Sequence, residues 1–381
     1  MAHSVSSPLL PRATLRRCLA RIFGLASLWL LCGCSTVGYY GQLVEGHYSL
    51  MRARQPIAPM LADPGVDPEL KRRLAIALEA RAFASLVLGL PDNRSYRLYA
   101  ELHRPYVLWN LYAAPRFSLA ALEHCFPIAG CVDYRGYYRQ ATAEREAGRL
   151  AARGMDVYIG GVPAYSTLGW FDDPLVSPML AFSDARLVGT IFHELSHQRF
   201  YLPGDTSFNE SYASFVEERG IIEWRRRRFE PAGDLLSRQR AQLKTLLRDT
   251  RERLSRLYAS PLDRQEMARR KEQIFAANRA AYLCLREREW HGDRRFDEWM
   301  LGEMNNATLL AFTLYDRWVP AFGALFARAG EDWTRFYAAV EALGGLPEAE
   351  RHAALERLMA EAGVQASSSS TTTSSAGPCA P

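Results

Sequence analysis

The chain has 381 residues, 48% of them hydrophobic and 23% charged. That is the balance of a packed globular protein, and it excludes a chain disordered throughout. The formal net charge is +5, but the four cations Arg12, Arg16, Arg17 and Arg21 precede any acidic residue, so the chain from Cys34 onward is close to +1, too little to make nucleic acid its bulk partner.

Those arginines lead into the uncharged run Ile22 to Leu31 and then Leu31-Cys32-Gly33-Cys34. A basic segment, a short apolar run and small residues are the layout of a secretory signal, and the run is too short to cross a bilayer. Leu-x-Gly-Cys resembles the bacterial lipobox, whose cysteine is diacylated and becomes the first residue of the mature protein. The resemblance implies that 1–33 is a lipoprotein signal peptide and Cys34 the lipid anchor, stable because it carries more than one acyl chain. Ser35 resembles the outer-membrane sorting pattern. The expected location is therefore the cell envelope, anchored to the membrane and facing the periplasm.

From Tyr39 to Ala113 the sequence reads as helices punctuated by the turns DPGVDPEL (63 to 70) and LPDNRSY (90 to 96). Glycine, proline and aromatic residues crowd Phe126 to Pro178, where short strands and loops are expected. Cys125 and Cys131 bracket FPIAG and are expected either to bridge in an oxidising periplasm or to remain two thiols a loop apart. Ser183 or Asp184 then caps a helix carrying Leu187, Val188, Ile191, Phe192 and Leu195. Trp224-Arg225-Arg226-Arg227-Arg228 is a local basic patch, either a solvated helix end or a phosphate site. A helical hairpin is expected over about 234–290, turning at Ser260-Pro261, with further helices after it. The Ser/Thr-rich segment 367–381, which includes Cys379, has nothing to pack and is expected to be disordered. With no repeat and no clean linker, 34–366 reads as one α+β domain, predominantly helical.

The chemistry lies in HELSHQRFYLPGDTSFNESYASF, residues 193 to 215. His193 and His197 are one helical turn apart and project from one face, and Glu194 borders that face. Neutral imidazoles and a carboxylate suit zinc, and a catalytic site keeps three protein ligands and one water, which a neighbouring glutamate can deprotonate. Glu210 is the candidate third ligand. Ser207-Phe208-Asn209-Glu210 also fits a capping box, in which the glutamate only returns a hydrogen bond to the helix start. Glu217, two turns past Glu210, is either a side chain that orients a ligand or a solvent-facing glutamate.

His-Glu-x-x-His followed by Asn-Glu on the next helix is the gluzincin pattern of thermolysin and the aminopeptidase N-like enzymes, and Asn209 to Phe215 looks like the aminopeptidase N version. Over nearly all its mature length the chain also resembles a family of bacterial lipoproteins regarded as zinc aminopeptidases, through LPDNRSYRLYAELHRPYVLWN, CFPIAGCVDYRGYY, GGVPAYSTLGWFDDP, IFHELSHQ, GDTSFNESYASFVEERG and MNNATL. The resemblance implies a zincin-like metallopeptidase domain, with the helical hairpin as a long insertion. It implies one Zn2+ per chain on His193, His197 and Glu210, and peptide as substrate. The Gly-x-Met-Glu-Asn segment that grips a free amine in the aminopeptidase N pattern is absent, and GGVPAYS stands roughly in its place. Exopeptidase against endopeptidase action therefore stays open.

The expected reaction is zinc-assisted addition of water to a peptide carbonyl, with Glu194 as general base and then acid. An oxyanion donor is sought among Tyr315, Tyr165 and His291, with Tyr315 favoured because enzymes of this pattern take the tyrosine from a downstream helix. Tyr165 to Phe171 is expected to form the strand that lines the substrate. The competing expectations are a non-catalytic envelope lipoprotein that keeps zinc as a structural or binding module, and a zinc hydrolase acting on a non-peptide amide.

Overall fold

A computed structural model describes residues 37–126, 130–229, 235–313, 317–369 and Cys379. Contacts divide the chain between Arg52 and Ala53, a boundary absent from the sequence reading of one domain from residue 34. Helix α1 (37–52) belongs to the first unit. The second begins with β1 (Arg54–Pro56), α2 (Ile57–Ala62), α3 (Pro68–Leu86), β2 (Leu98–Ala100), β3 (Leu108–Pro115), β4 (His124–Phe126), β5 (Gly130–Val132), β6 (Tyr134–Tyr137), α4 (Gln140–Ala151), β7 (Met155–Val162) and β8 (Leu175–Val176). It continues with the helices α5 (Asp184–Arg199), α6 (Thr206–Arg227), α7 (Leu235–Tyr258), α8 (Arg264–Arg288), α9 (Asp297–Met300), α10 (Asn306–Thr313), α11 (Val319–Arg328), α12 (Trp333–Gly344) and α13 (Glu348–Ser369). The architecture is α+β and predominantly helical, and no helix among the described residues is long and apolar enough to cross a membrane.

Strands β6, β3 and β7 form an antiparallel sheet in that order, and β1, β2 and β8 a second small sheet. The expected strand at Tyr165–Phe171 is not there. Pro163 precedes the segment, Leu168 and Gly169 take positive φ, and Thr167 Oγ1 accepts from Phe171 N at 3.1 Å, closing a turn. The edge strand is β7 instead, where the β-favouring run Val157-Tyr158-Ile159 pairs with β3.

Two stretches of the resemblance prove to be clasps. The carbonyls of Pro91, Asn93 and Ser95 wrap the guanidinium of Arg81, which is 1% exposed. Asn306, also buried, donates from Nδ2 to the carbonyls of Pro115, Arg116 and Ser118, while Asn305 Nδ2 holds Val157 O. Each satisfies backbone groups that a loop would otherwise leave unpaired.

Helices α7 and α8 run antiparallel, crossed by Thr250 to Asn278 at 2.9 Å and by Trp290 to Gln242 at 2.6 Å. Leu243, Leu247, Leu254, Phe275, Tyr282 and Trp290 fill the space between them. Cys379 is buried in this cluster and bonded to Cys284, while α13 runs to Ser369, so the segment expected to pack against nothing contributes one core residue. Cys125 and Cys131 face each other across β4 and β5 as a disulfide.

Candidate metal centre

Helix α5 starts because Ser183 Oγ accepts from Arg186 N, and its inward face carries Leu187, Val188, Ile191, Phe192 and Leu195 into the core. It stops at Arg199, and Leu202-Pro203-Gly204 turns the chain into α6. Asp205 caps α6 through Phe208 N at 3.0 Å. With Asp205 as the cap, Glu210 is the fifth helical residue, too far along for a capping box. Asn209 holds the turn rather than the site, exchanging hydrogen bonds of 2.8 Å with both polar groups of Leu202.

Two glycines let α5 and α6 approach closely. A Cβ on Gly189 would lie 2.6 Å from Ile221 Cδ1, and one on Gly220 would lie 2.7 Å from the Phe192 ring. The approach brings Glu210 Oε2 to 3.3 Å from His193 Nε2 and 3.8 Å from His197 Nε2, while the two Nε2 atoms are 3.2 Å apart. A tetrahedral zinc with bonds of about 2.0–2.1 Å would set its ligand atoms about 3.3–3.4 Å apart. Three donors on an open triangle of that size fit one such ion. Lone pairs aimed at one another repel, so the triangle needs positive charge, which either a metal ion or a proton on a histidine supplies.

The outer nitrogen of His193 is accounted for as well. Nδ1 is 3.2 Å from Glu217 Oε2, and a proton held between them leaves the Nε2 lone pair for a metal. Among the described residues His197 Nδ1 is buried without a partner. Burial disfavours charge on His193, but the hydrogen-bonded carboxylates of Glu210 and Glu217 outweigh it and raise the pKa well above the ordinary histidine value. Burial, with the charge of His193 added, lowers His197 to about 4. Glu210 and Glu217 are held below the usual carboxylate range, the histidines overcoming the cost of burial. Without metal, then, positive charge collects on His193 inside the triangle. Glu194 is raised to about 7, by burial first and by Glu210 among its neighbours.

The oxyanion candidates scatter. Tyr315 lies outside the described residues. His291 is exposed in the turn after α8, and the hydroxyl of Tyr165 is engaged with Tyr138. Two other phenols are influenced by Glu210: Tyr201, whose ring is 6.2 Å from that of His197, and Tyr134 on β6. Neither stood out in the sequence, although Tyr201 is only four residues past His197, just beyond the end of α5 at Arg199.

The face of α5 bearing Glu194 continues one turn on to Gln198. Gln198 receives Asn93 Nδ2 at 2.7 Å and donates to Asp173 Oδ2 at 3.0 Å. Asp173 in turn takes Thr167 N and Oγ1, so the 166–171 turn is fastened beside the helix, with Trp170 and Phe171 exposed at its tip.

A family model described as "Putative aminopeptidase" matches residues 38–355. No curated protein and no solved structure matches the chain.

Proposed function

The chain belongs to the Putative aminopeptidase family, and on that premise we propose that it is a zinc-dependent aminopeptidase of zincin-like fold, with one zinc on His193, His197 and Glu210. The observation that carries the reading is the donor triangle between α5 and α6, with Glu194 one residue round the helix from His193. When bound, zinc supplies a Lewis acid for the peptide carbonyl and makes water more acidic. Glu194 takes the proton from the attacking water and returns it to the leaving amine. Glu217 holds the His193 ring in the tautomer that frees Nε2. A phenol donates to the oxyanion, either Tyr315 as expected from sequence or one of Tyr201 and Tyr134 beside Glu210. The enzyme is anchored by acylated Cys34 and works on peptides at the periplasmic side of the envelope.

Chelation should abolish hydrolysis and added zinc restore it. Glu194→Gln should keep one zinc per chain and lose at least about 100-fold in rate, whereas Glu210→Gln should lose the metal. Full zinc and activity in Glu210→Gln, or zinc loss in Glu194→Gln, would sink this assignment. Digestion of a peptide library separates free amino acids, the expected products, from internal cleavage.

A further inference from the structure

The C-terminal ends of α3 and α6 lie side by side and enclose an open groove of about 430 Å³, lined by Phe83, Leu86, Val87, Trp224, Arg227 and Arg228. Its surroundings are unusual for a solvated helix end. Leu86 is 85% exposed, Phe229 97% and Ile222 56%. Arg226 is exposed as well, and Phe229 follows directly on Arg228 where α6 has ended, so apolar and cationic side chains share the tip of the two helices, whereas Ile222 faces away from the groove. Arg228 pairs with Glu79 at 2.8 Å and lies over the Trp224 ring, and Arg227 lies over the Phe83 ring. Cations in the last turn are favoured by the helix dipole. The dipole gives no reason for large apolar side chains such as Leu86 and Phe229 in water beside them.

We propose that this face docks on a phospholipid bilayer bearing anionic headgroups. The charge is complementary, with Arg227 and Arg228 in the groove lining and exposed Arg226 beside them against the single lining carboxylate of Glu79. Guanidinium groups pair with phosphate, and exposed Leu86 and Phe229 reach the boundary between headgroups and acyl chains, as interfacial side chains do. The core of a protein interface is instead depleted in charge. An acyl anchor alone holds a protein at a membrane in any orientation, and this face selects one. The inference depends on neither zinc nor peptidase activity.

The test is hydrogen–deuterium exchange of the full chain with vesicles of phosphatidylglycerol and phosphatidylethanolamine, and with phosphatidylcholine alone. Flotation reports in each case whether the chain is bound, however its N-terminus contributes. Segments 83–88 and 226–229 should exchange more slowly on the anionic vesicles, less so at high salt. Arg226→Gln with Arg227→Gln should weaken the docking at least about tenfold. Leu86→Ser with Phe229→Ser should remove the protection while keeping every arginine. Unchanged melting temperature and metal content verify that both variants are folded. Absence of binding, binding with exchange unchanged in these two segments, or equal protection on neutral vesicles and in both variants overturns the proposal.

Discussion

Glu217 is placed to tune the proposed zinc site without being one of its ligands. Its Oε2 meets His193 Nδ1 at 3.2 Å from the middle of α6. Glu217→Gln leaves the donor triangle intact but weakens the acceptor that fixes the ring, so zinc should still bind with about 10- to 100-fold lower affinity. Competition against a chelator measures this, and affinity equal to the parent would show that the contact is incidental. Asp173 makes a different point. It is fully buried, and burial raises its pKa to about 6 despite hydrogen bonds from Thr167 and Gln198. A folded pKa above the unfolded one means that the contribution to stability is present below about pH 4 and is lost as pH rises through about 6. The stability of the parent relative to Asp173→Asn should therefore fall by up to about 3 kcal/mol between pH 4 and 7. Melting curves of both proteins at several pH values give that difference, and a flat profile would refute it.

At the scale of elements, the centre depends on how closely two helices can approach. Gly189 faces Ile221 and Glu217, and an added Cβ would come within 3.0 Å of both. Gly189→Ala should cost about 1–3 kcal/mol and, by moving Glu217, also lower zinc affinity. A loss of melting temperature with affinity unchanged would show that the helices yield without disturbing the site. The His193 and His197 pair was legible because a helix repeats within one turn, which needs no tertiary knowledge. Glu210 was legible as a candidate third ligand, but the capping-box alternative stayed open because Asp205 and Ser207 are both good caps, and packing makes Asp205 the cap. The strand expected at Tyr165–Phe171 failed for a related reason. Aromatic residues in Tyr165–Phe171 mimic a strand, but their backbone is committed to the turn that Thr167 and Asp173 close.

Across the whole molecule, long-range contacts hold the site from behind. Asp205, the cap of α6, receives Arg351 of α13 at 2.9 Å, both side chains buried, so a helix near the end of the chain fastens the start of the helix that carries Glu210. The bond between Cys284 and Cys379 spans 95 residues, and no local pattern in a Ser/Thr-rich segment could announce it. The α+β helical architecture followed from periodicity and turn residues, whereas these tethers join positions that sequence spacing leaves unrelated.

The hairpin of β4 and β5 reaches the same turn from the other side. Gly130, at φ 73°, lies so close to the backbone of Pro203 and Gly204 that a Cβ there would be 2.5 Å from Gly204 N. The turn between the two helices that carry His193, His197 and Glu210 is thus walled in by Gly130 on the Cys125–Cys131 hairpin as well as held by Asn209. For a genome accumulating insertions and deletions, this is a place where chain length cannot drift. One added residue between Leu202 and Asp205 would displace the hairpin and carry Glu210 out of register with both histidines. In a library of single-residue insertions sorted for retained zinc, survivors should be absent from 202–206 and frequent in the exposed turn at 169–171. Zinc-loaded survivors within 202–206 would show that the wall gives way.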